Sequence, residues 1–118
     1  MKRQTKPAPK PRLLLRIMCA GGTPLGPGRV ELLELLEQTG SISEAARKMR
    51  ISYMKAWLLT KSMKPLVEIS RGGARGGGVR LTEKGRRAIA LFRQMENASV
   101  AACGPAWIKL RRLLLNGT

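Results

Sequence analysis

The stretch Ser43–Pro65, SEAARKMRISYMKAWLLTKSMKP, decides the architecture. Ser43 and Ser52 each precede a helix-forming run, where a serine hydroxyl can accept one of the orphan backbone N–H groups. Ser43 is expected to cap a short helix, Glu44–Met49, whose Ala45 and Ala46 let a neighbour approach closely. Ser52 is expected to cap another, from Tyr53 to about Lys64, stopped by Pro65. Only Arg50-Ile51 lies between the first helix and the second cap. Two helices so joined must cross steeply, which is helix-turn-helix geometry.

Outward from this pair, the flanks fit the same scheme. Val67–Ser70 and Val79–Leu81 are short β-prone runs, and Arg71-Gly72-Gly73-Ala74-Arg75-Gly76-Gly77-Gly78 between them reads as a long hairpin tip. Helix, turn, helix, hairpin is the order of a winged helix. Thr82 is expected to cap a long helix with Glu83 in its first turn, ending at Gly104-Pro105. Ala88, Leu91, Phe92, Met95, Ala98, Ser99 and Ala102 share one side of it. Ala106–Leu115 reads as a further short amphipathic helix. On the amino-terminal side, Arg29–Gln38 has a helical stripe of Val30, Leu32, Leu33 and Leu36, stopped by Gly40. Residues 21–28 are a Gly/Pro loop, and Leu13–Met18 reads as a strand with Leu13, Leu15 and Ile17 on one face. Residues 1–12 read as a disordered basic arm. The organisation is therefore an arm (1–12), a mainly α winged helix-turn-helix domain with a small β-hairpin and long last helix (13–104), and a basic tail (105–118).

Composition narrows the function. Lys+Arg is 23 against seven acids, all glutamate, for a formal charge of +16. Internal pairing cannot cancel that surplus, and the field it creates attracts polyanions, nucleic acid first among them. Histidine and aspartate are absent, which removes the usual general base, the usual triad and most zinc or magnesium sites. Cys19 and Cys103 match no metal-ligand spacing. No catalytic residues, metal ligands or cofactor are expected. No apolar run is long enough for a membrane span and none resembles a secretory signal. A cytoplasmic, nucleoid-associated protein with reduced thiols is the expectation, with no membrane partner.

The chemistry falls on the third helix and the hairpin. Tyr53, Ala56, Trp57, Thr60 and Met63 share the face expected to be core. Met54, Lys55, Leu58, Lys61 and Ser62 share the other, where apolar side chains can meet thymine methyls while lysines reach phosphates or guanine. Leu58 can alternatively pack under the wing or a partner subunit. The glycine-rich tip lacks the Gly-Lys-Ser/Thr ending of a nucleotide loop and lies between strands. Its glycines suit close approach to a DNA backbone or minor groove, with Arg71, Arg75 and Arg80 supplying charge. The candidate DNA contacts are Ser43, Ser52, Tyr53, Met54, Lys55, Leu58, Lys61, Arg71, Arg75, Gly76, Gly77 and Arg80. A homodimer is expected to bury Leu13, Leu15, Ile17, Leu91, Phe92 and Met95 across a two-fold axis.

Gly26-Pro27-Gly28-Arg29-Val30-Glu31-Leu32-Leu33, Gly40–Ala46, Ile51–Trp57 and the run from Arg71-Gly72-Gly73 through Gly76–Gly85 resemble the amino-terminal DNA-binding domain of ModE-type molybdate-responsive regulators. The likeness runs from about Leu13 to Met95. It implies a small bacterial transcription regulator, a winged helix that dimerises through its amino-terminal segment and last helix, and control of molybdenum uptake or molybdoenzyme genes. The family's molybdate sites lie in carboxy-terminal oxyanion-binding domains with no counterpart here, so no ligand residue carries over. An oxyanion effector or a separate sensor protein stays open. The alternatives are a nucleoid-type or RNA-binding protein using the charge without sequence specificity, and a membrane-surface protein acting through Trp107–Leu115.

Overall fold

The computed structural model describes residues 13–18, 22, 24–70 and 78–116. The described residues divide into two compact units, 14–94 and a second that holds residue 13 and 95–116. The elements in order are α1 (Pro27–Thr39), α2 (Ile42–Met49), α3 (Tyr53–Ser62), β1 (Val67–Ile69), β2 (Val79–Leu81) and α4 (Glu83–Asn116), the last contributing residues to both units. This is a winged helix-turn-helix.

In the 14–94 unit, α1 supplies the floor of the core with Val30, Leu32, Leu33 and Leu36, all fully buried as their spacing requires. Ile42, Ala45 and Ala46 of α2 and Ala56 of α3 pack with them, joined by Met63, Val67, Val79 and Leu81. Each large aliphatic side chain so buried contributes about 1.5–3 kcal/mol. Thr60 is the buried polar residue, and its hydroxyl donates to the Ala56 carbonyl at 2.7 Å. Gly40 takes the left-handed conformation that ends α1 (φ 66°), its N–H bonded to the Leu36 carbonyl.

The hairpin is antiparallel, with Val67 opposite Leu81, Glu68 opposite Arg80 and Ile69 opposite Val79. Ser70 N–H donates to the Gly78 carbonyl at 2.8 Å, so the ladder runs one pair further. On its other side, Val79 N–H donates to the Gly40 carbonyl, which ties the wing to the end of α1. Thr82 caps α4 as its position predicts: its hydroxyl oxygen accepts the Gly85 N–H at 3.1 Å. A two-pronged bond from Arg93 to Glu34 holds α4 against α1, with Arg93 Nε donating to Glu34 Oε2 at 3.1 Å.

Four expectations change. Ser41, not Ser43, caps α2: its oxygen accepts the Glu44 N–H, and Ser43 is an exposed residue inside the helix. Starting at Ser41 brings Ile42 into the helix and the core, which a cap at Ser43 would forfeit. Helix α3 ends at Ser62, because Lys64 before Pro65 is disfavoured in the helical region. Leu13–Met18 is not a strand. Its side chains alternate between partly buried and exposed, but only an isolated bridge pairs Ile17 with Leu25. Ile17 and Leu25 exchange both backbone bonds, and Pro27, two residues on, lacks the N–H that the next bonded pair would need.

The fourth change is in α4, which continues through Gly104-Pro105 to Asn116. Pro105 removes the bond to the Ala101 carbonyl, but Ala101, Ala102 and Cys103 are exposed, so water can take up the freed oxygen. There is thus no turn at 104–105 to make Ala106–Leu115 a separate helix. Ile108, Leu110, Leu113, Leu114 and Leu115 are exposed along this part. The basic arm 1–12 lies outside the described residues, and no helix among those described is long and apolar enough to cross a membrane.

Candidate nucleic-acid interface

The site is built from the turn between α2 and α3 outward. Arg50 occupies the left-handed region (φ 59°), and it is the sole non-glycine residue with positive φ among those described. There the Ile51 N–H reaches back to the Ala46 carbonyl at 3.1 Å, closing α2 and directing the chain across it. Ser52 then caps α3 by accepting the Lys55 N–H at 3.0 Å, as its position predicts.

Helix periodicity sets what α3 shows. Ala56 and Thr60 face the core, Trp57 and Leu59 pack against it in part, and Met54 (60% exposed), Lys55, Leu58 (57%) and Lys61 face outward. Tyr53 departs from the expected core face. It is 52% exposed, because the first turn of α3 extends past the end of the core. Leu58 is largely exposed among the described residues, and the wing tip under which it could alternatively lie is outside them.

Charge on this surface is one-signed. Among the described residues, glutamates pair with arginines away from α3: Glu34 with Arg93, Glu37 and Glu83 with Arg86, Glu44 with Arg47, and Glu68 with Arg80. Lys48, Arg50, Lys55, Lys61 and Lys64 have no ion-pair partner among the described residues. Glu44 is the acid nearest in sequence to the turn. The Arg47 side chain donates a hydrogen bond to it and adds its charge, lowering the carboxyl pKa, while the Arg47 pKa is raised in return.

The other candidate residues divide cleanly. Ser43 is exposed on α2, and Arg80 is exposed with its guanidinium 3.3 Å from Glu68 across the hairpin. Arg71, Arg75, Gly76 and Gly77 lie outside the described residues. Of the residues expected at a dimer interface, Leu91 and Met95 are exposed. Phe92 is only 1% exposed and is a correction: it is already buried within the single chain. Leu13, Leu15 and Ile17 are partly buried. Sequence reasoning missed Arg50, at a position where glycine would signal the turn. It also missed Arg16 and Arg29, which the fold gathers near Lys55 from distant points in the sequence.

No family model matches the chain. It is 42% identical over 80 residues to the molybdenum transport protein ModE of Azotobacter vinelandii, covering 64% of this chain and 30% of that one. The molybdenum-pterin-binding protein MopA of Rhodobacter capsulatus is 38% identical over 95 residues, 76% of this chain and 36% of its own. Over these stretches the chain is similar to both proteins. The DNA-binding transcriptional dual regulator ModE of Escherichia coli is 41% identical over 71 residues, 56% of this chain and 27% of its own. The chain thus spans about a third of the length of these relatives. Among solved structures, Streptococcus pneumoniae FabT, determined in complex with DNA, superposes with a TM-score of 0.53. It covers 80% of this chain and 78% of FabT at 13% identity, a likeness of fold.

Proposed function

We propose that this chain is the DNA-binding part of a ModE-like transcription regulator and reads operator DNA with α3. One observation carries the reading. The outward face of α3 presents Met54, Leu58, Lys55 and Lys61 together, apolar and cationic, without a carboxylate and with no ion-pair partner for either lysine among the described residues. A solvated surface gains nothing from exposing Met54 and Leu58. A major groove offers thymine methyls to both, and phosphates or guanine edges to the lysines. Ser43, Ser52, Tyr53 and Arg80 supply flanking contacts, and Arg71, Arg75, Gly76 and Gly77, which lie outside the described residues, are assigned to the DNA backbone by their charge and small size alone.

The regulator acts as a homodimer in the cytoplasm, on genes of molybdenum uptake or molybdoenzymes, without catalysis of its own. The relatives' names support the molybdenum link. Exposed Leu91, Met95 and the Ile108–Leu115 run support the dimer, since apolar patches of that kind mark interaction surfaces. Molybdate, acting directly or through a separate sensor protein, is the proposed effector. Selection from random-sequence DNA, with and without molybdate, tests the reading. An inverted repeat should emerge, with half-sites spaced by whole helical turns. No enriched sequence would favour the nonspecific alternative, which the +16 charge alone supports.

A further inference from the structure

A cavity of about 290 Å³ lies beside the start of α1, lined among others by Arg16, Gly28, Arg29, Met49, Lys55 and Leu59. Its ionisable lining is entirely cationic: Arg16, Arg29 and Lys55 face it and no carboxylate does. None of the three has an ion-pair partner among the described residues. The larger hollow of about 700 Å³ by the wing is different, since its Arg80 and Arg86 are answered by Glu68 and Glu37.

Two further features make the small cavity short of negative charge. The Arg29 Nε is buried without a hydrogen-bond partner, an unfavourable position for a charged donor. Helix α1 begins at Gly26 with no side-chain cap and no acid in its first turn, so the positive end of its dipole is uncompensated. Arg16 lies against that start, its Nε 3.5 Å from where a Cβ on Gly26 would stand. Three cations and a bare helix N-terminus meet in one concavity, and the Arg29 side chain among them carries the unpartnered Nε.

We propose that this cavity is an oxyanion site that takes a phosphate-type group. The source is either a phosphate of bound DNA, seated beside the outward face of α3 through Lys55, or a free inorganic dianion. The first source rests on the DNA-binding reading, and the second does not. Bound there, the anion neutralises the repulsion among the three cations.

The Arg29 Nε–Hε resonance reports the site, followed by nuclear magnetic resonance in the whole chain. Inorganic phosphate should shift it saturably, and chloride at equal ionic strength should not. Gly28→Leu should abolish the shift: Gly28 lines the cavity, nothing lies within 4 Å of its Cβ position, and leucine is the better helix former. That variant therefore blocks the site without removing a cation or unfolding the protein. Duplex DNA added next separates the sources. If DNA moves the resonance and excludes phosphate, the group is a backbone phosphate, and Gly28→Leu should lower the salt slope of DNA binding by about one. If phosphate still binds with DNA present, the site serves a free anion. A response to phosphate in a chain that binds no DNA keeps the site and removes the DNA-binding reading. A resonance that treats phosphate like chloride and ignores DNA the chain does bind overturns the proposal.

Discussion

Replacing Gly85 by alanine should destabilise the 14–94 unit although alanine is the better helix former. A Cβ at Gly85 would stand 2.2 Å from the Leu66 carbonyl oxygen, 3.2 Å from its carbon and 3.3 Å from Leu81 Cγ. An unstrained C···O contact needs about 3.3 Å, so the backbone must part by roughly 1 Å. That oxygen accepts the Thr82 N–H at 2.9 Å, the bond that joins the approach to β1 to the start of α4. Loss of the bond costs about 1 kcal/mol, and overpacking a further 1–3 kcal/mol or so. The gain in helix propensity, at most about 1 kcal/mol, offsets part of this. The net loss is about 2 kcal/mol, or a Tm lowered by roughly 8–16 °C in a domain of this size. Gly104→Ala is the matched control. It lies in the same helix with nothing within 4 Å of its Cβ position, so it should leave the melt unchanged or raise it. Thermal melts followed by helical circular dichroism measure both. Gly85→Ala melting within two or so degrees of the parent would refute the close approach of α4 to Leu66.

Ser41→Ala should cost about 1 kcal/mol in urea unfolding, and Ser43→Ala less than about 0.5 kcal/mol; the reverse order would return the α2 cap to Ser43. Lys61→Ala should weaken DNA binding and reduce its salt slope by about one, while Leu58→Ala should weaken it with no change in the melt. A Tm that falls with affinity would make Leu58 a packing residue. The Glu44 carboxyl titrates below its ordinary range because Arg47 bonds to its charged form. Its contribution to stability is therefore present above the unfolded pKa and fades as pH falls through the folded one. In Arg47→Ala the Glu44 titration should move back up to the ordinary glutamate range.

Local grammar made most of the fold legible. The Val30–Leu36 stripe, Gly40, Ser52, Thr82 and the Val67–Leu81 hairpin each announce their role within a few residues. Where the reading slipped, two local signals competed or one was overridden. Ser41 and Ser43 both offer a cap, and burial of Ile42 decides between them. Gly104-Pro105 is a strong stop in isolation, yet exposed alanines before it let the freed carbonyl be hydrated. Phe92 shares its side of α4 with Leu91 and Met95, but periodicity identifies a face and not what covers it. The outward lysines of α3 were legible from spacing alone. The convergence of Arg16, Arg29 and Lys55 was not, since only the tertiary fold brings residues so far apart in sequence to one cavity.

The most direct test of DNA reading by α3 is the ratio of affinities for a selected site and for random duplex of equal length, at one fixed salt concentration. Specific recognition predicts a preference of roughly 10³ or more, reduced toward unity when Met54, Leu58 and Lys61 are together replaced by alanine. A ratio near one in the parent chain, with affinity set by salt alone, would contradict the account.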